Sequence, residues 1–273
     1  MLHRFAGIVA ATAVVAAASF AGTAATAKTT GGERVPTYPE FKADTFTDHD
    51  GQYVVNGDEP VLEESELRGF YERMTRDKKN TGRAGDLIVN QSYGYDDLWS
   101  SSQVGNLTYC VSTSFGSDYS AVVSAMSSGA GQWEGASSAI DFVHVSSQDS
   151  SCSTSNNNVV FSVEPVSTTQ YIARAFFPSY PKSSRNVLID DSIWTSGSWS
   201  PSNILAHELG HVLGFRHEHT RPEAGTCFED NNWRPLTAYD SSSIMHYPQC
   251  NGSSSDLSMT STDRQGARVA YGS

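Results

Sequence analysis

Through DYSAVVSAMSSGAGQW, apolar residues fall at Tyr119, Val122, Val123, Met126, Ala130 and Trp133. This three- and four-residue spacing puts them on one face and predicts a helix, with Asp118 or Ser117 as its cap. Around it the pattern shortens. LTYCVS (107–112) alternates like a strand, and IDFVHV (140–145), NVVFSV (158–163), YIARAFF (171–177) and NVLID (186–190) are four further strand candidates. Ser200-Pro201 opens a second helix, serine being a favoured N-cap and proline fitting the first helical position. After Gly214 the chain reads as loop until a short helix near 262–270. No internal repeat is visible. The pattern describes a single α/β domain over 87–273, with a leader in front.

The leader has two parts. Residues 1–27 combine a basic start at His3 and Arg4, an Ala-rich apolar middle and a closing Ala25-Thr26-Ala27, the layout of a secretory signal peptide. Residues 28–86 are rich in charge, lack cysteine and end in MTRDKKNTGRAGD, the composition of a protease-sensitive linker, with the mature chain expected to start near Asp86. No later run approaches the roughly 18 consecutive apolar residues of a spanning helix. Export gives the cysteines a meaning: an even set in an oxidising compartment suggests two disulfides. Cys110, Cys152, Cys227 and Cys250 allow three pairings. Two local loops, Cys110–Cys152 and Cys227–Cys250, are preferred because they flank the central motif without crossing it. A formal net charge of −12 argues against nucleic acid or an anionic membrane as partner.

Four of the eight histidines stand in ILAHELGHVLGFRHEHTRPE, 204–223. On a helix, His207 and His211 project from one face, one turn apart, and can reach one metal ion. Glu208 sits beside the first, placed for a water molecule rather than for the metal. Gly214 can stop the helix in a left-handed conformation and turn His217 back toward the same ion. Three imidazoles and an open position suit catalytic zinc, which lowers the pKa of its water to about 7. Glu208 is then the general base, and the reaction is peptide hydrolysis without a covalent intermediate. A histidine-rich helix that is merely packed or solvated is the plain alternative, and the full HExxHxxGxxH spacing argues against it.

At these residues the chain resembles the metzincin metallopeptidases. SSSIMHYP is similar to their Met-turn, with Met245 beneath the metal and Tyr247 two residues on. GFRHEH and SIMHY resemble astacins in particular, where that tyrosine can ligate zinc and stabilise the oxyanion, and Glu218 matches the glutamate after the third histidine. Upstream, ARAFFPSYP, NVLIDDSIWT and DRQGARVAYG look more like matrixins. The resemblance implies a twisted, mixed five-stranded sheet with two long helices, an active-site cleft and a small loop-rich C-terminal subdomain. Arg174 and Leu188 stand where matrixins carry histidines for a structural zinc, so one catalytic zinc is expected. Calcium through Asp190 or Asp191 is a weaker reading than solvated carboxylates. Matrixins silence their zinc with a propeptide cysteine, and 28–86 has none. Val55-Asn56-Gly57-Asp58 instead resembles the astacin propeptide motif, with Asp58 capping the zinc and Gly57 letting the backbone pass close; the alternative is a plain Asn-Gly-Asp hairpin turn.

The remaining candidates are read as structural. His219 and His246 are out of ligand phase, and His144 is packed in a strand. Arg216, Arg221 and Arg234 are expected in surface salt bridges rather than on acidic substrates. Asn90, Asn106 and Asn251 begin glycosylation sequons. The whole reads as a secreted, monomeric zinc endopeptidase made as a zymogen and acting on proteins or peptides, with ARAFFP as an edge strand that an extended substrate could join. The rivals are a secreted zinc-binding protein without catalysis, a proteinaceous inhibitor or toxin, and a hydrolase of non-peptide amides or esters.

Overall fold

The computed structural model describes residues 35–76 and 87–273. The signal-peptide reading of 1–27 and the expected mature start near Asp86 lie outside them. Residues 35–76 hold more structure than their charge suggests. Helix α1 (Tyr38–Asp44) leads into a three-stranded meander of β1 (Phe46–Thr47), β2 (Tyr53–Val55) and β3 (Glu59–Val61), followed by helix α2 (Glu64–Arg76). This segment has its own core of Tyr38, Phe41, Val55, Val61, Leu67, Phe70 and Met74. The Asn-Gly-Asp turn expected as an alternative is real: Val55 pairs with Glu59, and Asn56 and Gly57 take φ of 58° and 102°. That turn is what carries Asp58 outward.

The main body opens with β4 (Ile88–Ser92), β5 (Tyr95–Asp96) and the short helix α3 (Ser101–Val104). A five-stranded sheet follows: β6 (Leu107–Val111), β7 (Phe142–His144), β8 (Phe161–Val166), β9 (Ala173–Arg174) and β10 (Asn186–Asp190), in the order β7-β6-β8-β10-β9. All pairs are parallel except β10 with β9, so the sheet is mixed, with β9 on its edge. Tyr109, Val111, Phe161, Val163, Val187 and Ile189 alternate along the strands into the main core. Helices α4 (Tyr119–Glu134) and α5 (Pro201–Val212) complete that core with Val122, Met126, Ala130, Trp133, Leu205, Leu209 and Val212. They meet closely: a Cβ on Gly129 would lie 2.9 Å from the Ala206 nitrogen, and the Trp133 indole donates to the Ala206 carbonyl at 2.7 Å.

Both helix starts follow the sequence. The Ser200 hydroxyl accepts from Asn203 N, with Pro201 at the first position, whereas Asp118 precedes α4 without a side-chain bond. Strand β8 begins three residues later than NVVFSV predicts. The asparagines before it are held in turns, Asn158 N donating to Asn156 Oδ1, and Val159 packs on the Cys110–Cys152 disulfide. YIARAFF yields only the two residues of β9.

After Gly214 come β11 (Phe215–Arg216) and β12 (Trp233–Pro235), both antiparallel to β4, then short turns and the final helix α6 (Ser261–Tyr271). Both preferred disulfides are formed, Cys110–Cys152 and Cys227–Cys250. Asp190 Oδ1 accepts from Ser192 N and Oδ2 from Thr168 N, so its carboxylate closes turns. No helix among the described residues is long and apolar enough to cross a membrane.

Candidate metal centre

Helix α5 carries His207, Glu208 and His211, all buried. Gly214, at φ 89°, turns the chain back so that His217 joins them. A Cβ on Gly214 would come within 2.1 Å of the Asp97 carbonyl, so neither the backbone angle nor the space admits a side chain. We expect Gly214→Ala to lower stability by about 3 kcal/mol or more, measured by denaturant unfolding. An unfolding free energy within a few tenths of a kcal/mol of the parent's would show that the turn can re-form.

Each imidazole is oriented from behind. His207 Nδ1 lies 2.7 Å from the Ile244 carbonyl and His211 Nδ1 2.8 Å from the Phe215 carbonyl. His217 Nδ1 lies 2.7 Å from Glu229 Oε1. Carbonyl oxygens only accept, so the Nδ1 atoms of His207 and His211 carry the hydrogens, and Glu229 fixes the same tautomer on His217. In their neutral, metal-binding form all three Nε2 atoms then present lone pairs inward. Those of His207 and His217 are only 3.2 Å apart, and His211 Nε2 has no hydrogen-bond partner among the described residues. Lone pairs that close repel unless a cation lies between them. Two nitrogens bound tetrahedrally at about 2.05 Å to one ion would be about 3.3 Å apart. The residues fit zinc.

Asp58 closes the cluster from the N-terminal segment. Its Oδ2 is 3.2 Å from His207 Nε2, and its Oδ1 is 3.1 Å from His217 Nε2 and 3.6 Å from His211 Nε2. Ligand atoms of Asp58, His207, His211 and His217 all lie within 4.8 Å of one another. The Tyr247 hydroxyl donates to Asp58 Oδ2, and its ring stacks on His207 with centroids 5.4 Å apart. Gly57 passes so close that a Cβ would touch the Tyr247 hydroxyl at 3.4 Å. Burial, then the charge of Asp58, pushes both the Glu208 carboxyl and the Tyr247 phenol well above their ordinary ranges. Glu208 Oε2 is buried without a hydrogen-bond partner among the described residues.

Met245 lies under the helix: a Cβ on Gly210 would be 2.4 Å from its sulfur, so only glycine lets the two elements meet here. The turn is fastened by Asp263, which accepts from Ser243 Oγ at 2.5 Å and from Ile244 N at 3.0 Å. Glu218 N donates to the Met245 carbonyl at 2.8 Å, tying the third histidine's segment to this turn.

A matrixin family model matches residues 98–224, the span from the sheet through all three histidines. Over these residues the chain is similar to the matrixin peptidases. The chain is also 36% identical over 91 residues to human tolloid-like protein 1, covering 25% of this chain and 9% of that protein. To a bone morphogenetic protein 1 homolog of Strongylocentrotus purpuratus it is 40% identical over 63 residues, 16% of this chain and 10% of that one. The chain thus spans about a tenth of the length of these relatives. Two structures of myroilysin superpose with TM-scores of 0.47 and 0.44 at 20% and 19% identity. They cover 67% and 70% of this chain and 98% and 93% of theirs.

Several groups in this site were not legible in the sequence. Glu229 stands twelve residues beyond His217 and buttresses it, while also lying 3.1 Å from His219 Nε2. Burial lowers the pKa of His219 to about 4, and its Nδ1 accepts from Tyr247 N at 3.2 Å. Arg216 and Arg221 correct the expectation of surface salt bridges, for both are buried. Arg216 donates to Glu59 and Glu229, each at 3.1 Å, and to Asp230; Arg221 reaches Glu218 and Glu223, each at 3.2 Å. Arg234 remains half-exposed, on Asp96. His246 meets the Tyr239 hydroxyl at 2.8 Å, and His144 stacks on Tyr109 and lies 3.0 Å from Asp149.

Arg174, the residue expected above to stand in place of a structural-zinc histidine, is wholly buried and holds Asp48 at 2.7 Å and Asp50 at 2.5 Å. Burial opposes ionisation of Asp48, but hydrogen bonds from Tyr171, His49 and Arg174 bring its pKa down to about 2, from 3.8. The docked carboxyl has the lower pKa, so its contribution is complete above 3.8 and fades as pH falls from there toward 2. The stability difference between the parent and Asp48→Asn should therefore be constant from pH 7 to about 5 and shrink below about 4. Parallel denaturant titrations would show this; a difference that disappears already at pH 5 would contradict it.

Proposed function

We propose that this chain is a secreted, zinc-dependent endopeptidase of the metzincin type, held latent by residues 28–86. The observation that carries the reading is the inward convergence of three Nε2 lone pairs with Asp58 beside a buried Glu208. Zinc in a three-imidazole site supplies Lewis acidity and an activated water near neutral pH. Glu208 takes the water's proton during attack and passes it to the leaving nitrogen, a task suited to a carboxyl whose pKa burial has raised. Tyr247, once released from Asp58, donates its hydroxyl to the developing oxyanion. Strand β9 lies on the sheet's open edge, where an extended chain can add backbone hydrogen bonds, which favours cleavage within chains over cleavage at ends.

Casein hydrolysis tests the reading. The intact chain should be nearly silent, and a chain nicked within 77–86 should cleave. A chelator should stop it, and stoichiometric zinc should restore it. Zinc binding without cleavage after complete removal of the N-terminal segment would instead favour the non-catalytic zinc-binding protein.

A further inference from the structure

The meander of residues 46–61 touches the rest of the molecule at both ends of β2. The β2–β3 turn delivers Asp58 to the imidazoles, and the β1–β2 turn delivers Asp48 and Asp50 to Arg174. Tyr171 donates its hydroxyl to Asp48, and Val54 packs on Tyr171 and Leu188 between the two contacts. Among the described residues, both ionic partners of Arg174 come from the N-terminal segment. Outside that segment, Asn186, 3.4 Å away, and the Tyr171 ring flank the guanidinium, and the Glu208 carboxyl lies near enough to feel its charge. Removing the segment takes away both carboxylates that hydrogen-bond the guanidinium and leaves its donors, with the Tyr171 phenol and the Asn186 amide, facing a place shaped for carboxylates. Such a set of donors attracts a replacement anion.

We propose that, in the processed protein, Arg174 with Tyr171 forms a subsite for an acidic side chain of an extended peptide substrate, with Asp48 and Asp50 occupying it beforehand. The inference rests on the peptidase reading above. Arg174 lies on the edge strand β9, beside which the extended substrate would run. The two turns are separated by the three residues of β2, about 10 Å at strand rise. The favoured acid therefore stands about three residues from the bond that is cut.

The full chain is folded intact and nicked within 77–86 afterwards, so no part has to fold alone. A dye-labelled peptide of residues 45–60 and its Asp48→Asn/Asp50→Asn form are then titrated onto the wild-type protein. Both keep Asp58, so the metal contact is common to the two. The neutralised peptide should bind at least about tenfold more weakly, and equal affinities would overturn the proposal. Next, peptides carrying one Asp or one Asn are scanned over four positions on each side of the cut. An Asp about three residues away should raise kcat/KM about tenfold over Asn, with the gain lost in Arg174→Gln and kept in part in Arg174→Lys. A flat scan would also overturn it. Charge-dependent peptide binding with no cleavage of any peptide would instead sink the peptidase reading and leave the carboxylate pocket standing.

Discussion

Glu208→Gln should lower casein hydrolysis by the nicked chain about 10³-fold while leaving one zinc per chain, as in the parent. Glutamine matches glutamate in size and helix propensity, so α5 and its imidazoles should stay in place. It cannot take a proton from water. The three nitrogen donors are oriented by Ile244, Phe215 and Glu229, so metal content and hydrolysis are separable. Equal hydrolysis in the two proteins would move the base elsewhere. Loss of zinc in the variant would mean that Glu208 builds the site rather than working in it.

Asp58→Ala should shorten the time to self-processing about 100-fold. Removing one partner from a buried charged cluster costs about 3–5 kcal/mol, and 1.4 kcal/mol is a factor of ten. The lower end of that range is expected, because Glu59 on Arg216 and Asp48 and Asp50 on Arg174 still hold the segment. Measured by gel analysis of freshly folded protein, an unchanged onset would reduce Asp58 to a turn residue. Progress curves at several dilutions would separate self-cleavage within one chain from cleavage between chains.

The two long helices were readable because their apolar faces repeat at helical spacing and their ends carry Ser200, Pro201 and Gly214. The parallel strands were readable as short apolar runs, though not their lengths: Glu164-Pro165-Val166 extends β8 alongside β10, despite a charged residue and a proline. The three histidines were legible because their chemistry is written in local spacing. Glu229, Asp263 and the Arg174 pocket were not. Each depends on a polar contact between distant segments, which leaves no period in the sequence. Asp263 came nearest, since Thr260 three residues before it completes a capping box, a local sign of a helix start and nothing more. Arg216 and Arg221 misled because isolated arginines usually lie at the surface, whereas here facing carboxylates make burial tolerable.

The self-contained core of residues 38–74 has a consequence for the order of assembly. Its contacts are local, and local contacts form fast. During synthesis this segment emerges first and can pack before the main sheet exists. The imidazole cluster, by contrast, needs α5, the return to His217 and the turn at Met245, and its contact with Asp58 spans 149 residues. If the segment caps the site as proposed, the plug can form before the ribosome has made the residues it covers, and the newborn chain need never carry a finished, uncapped site.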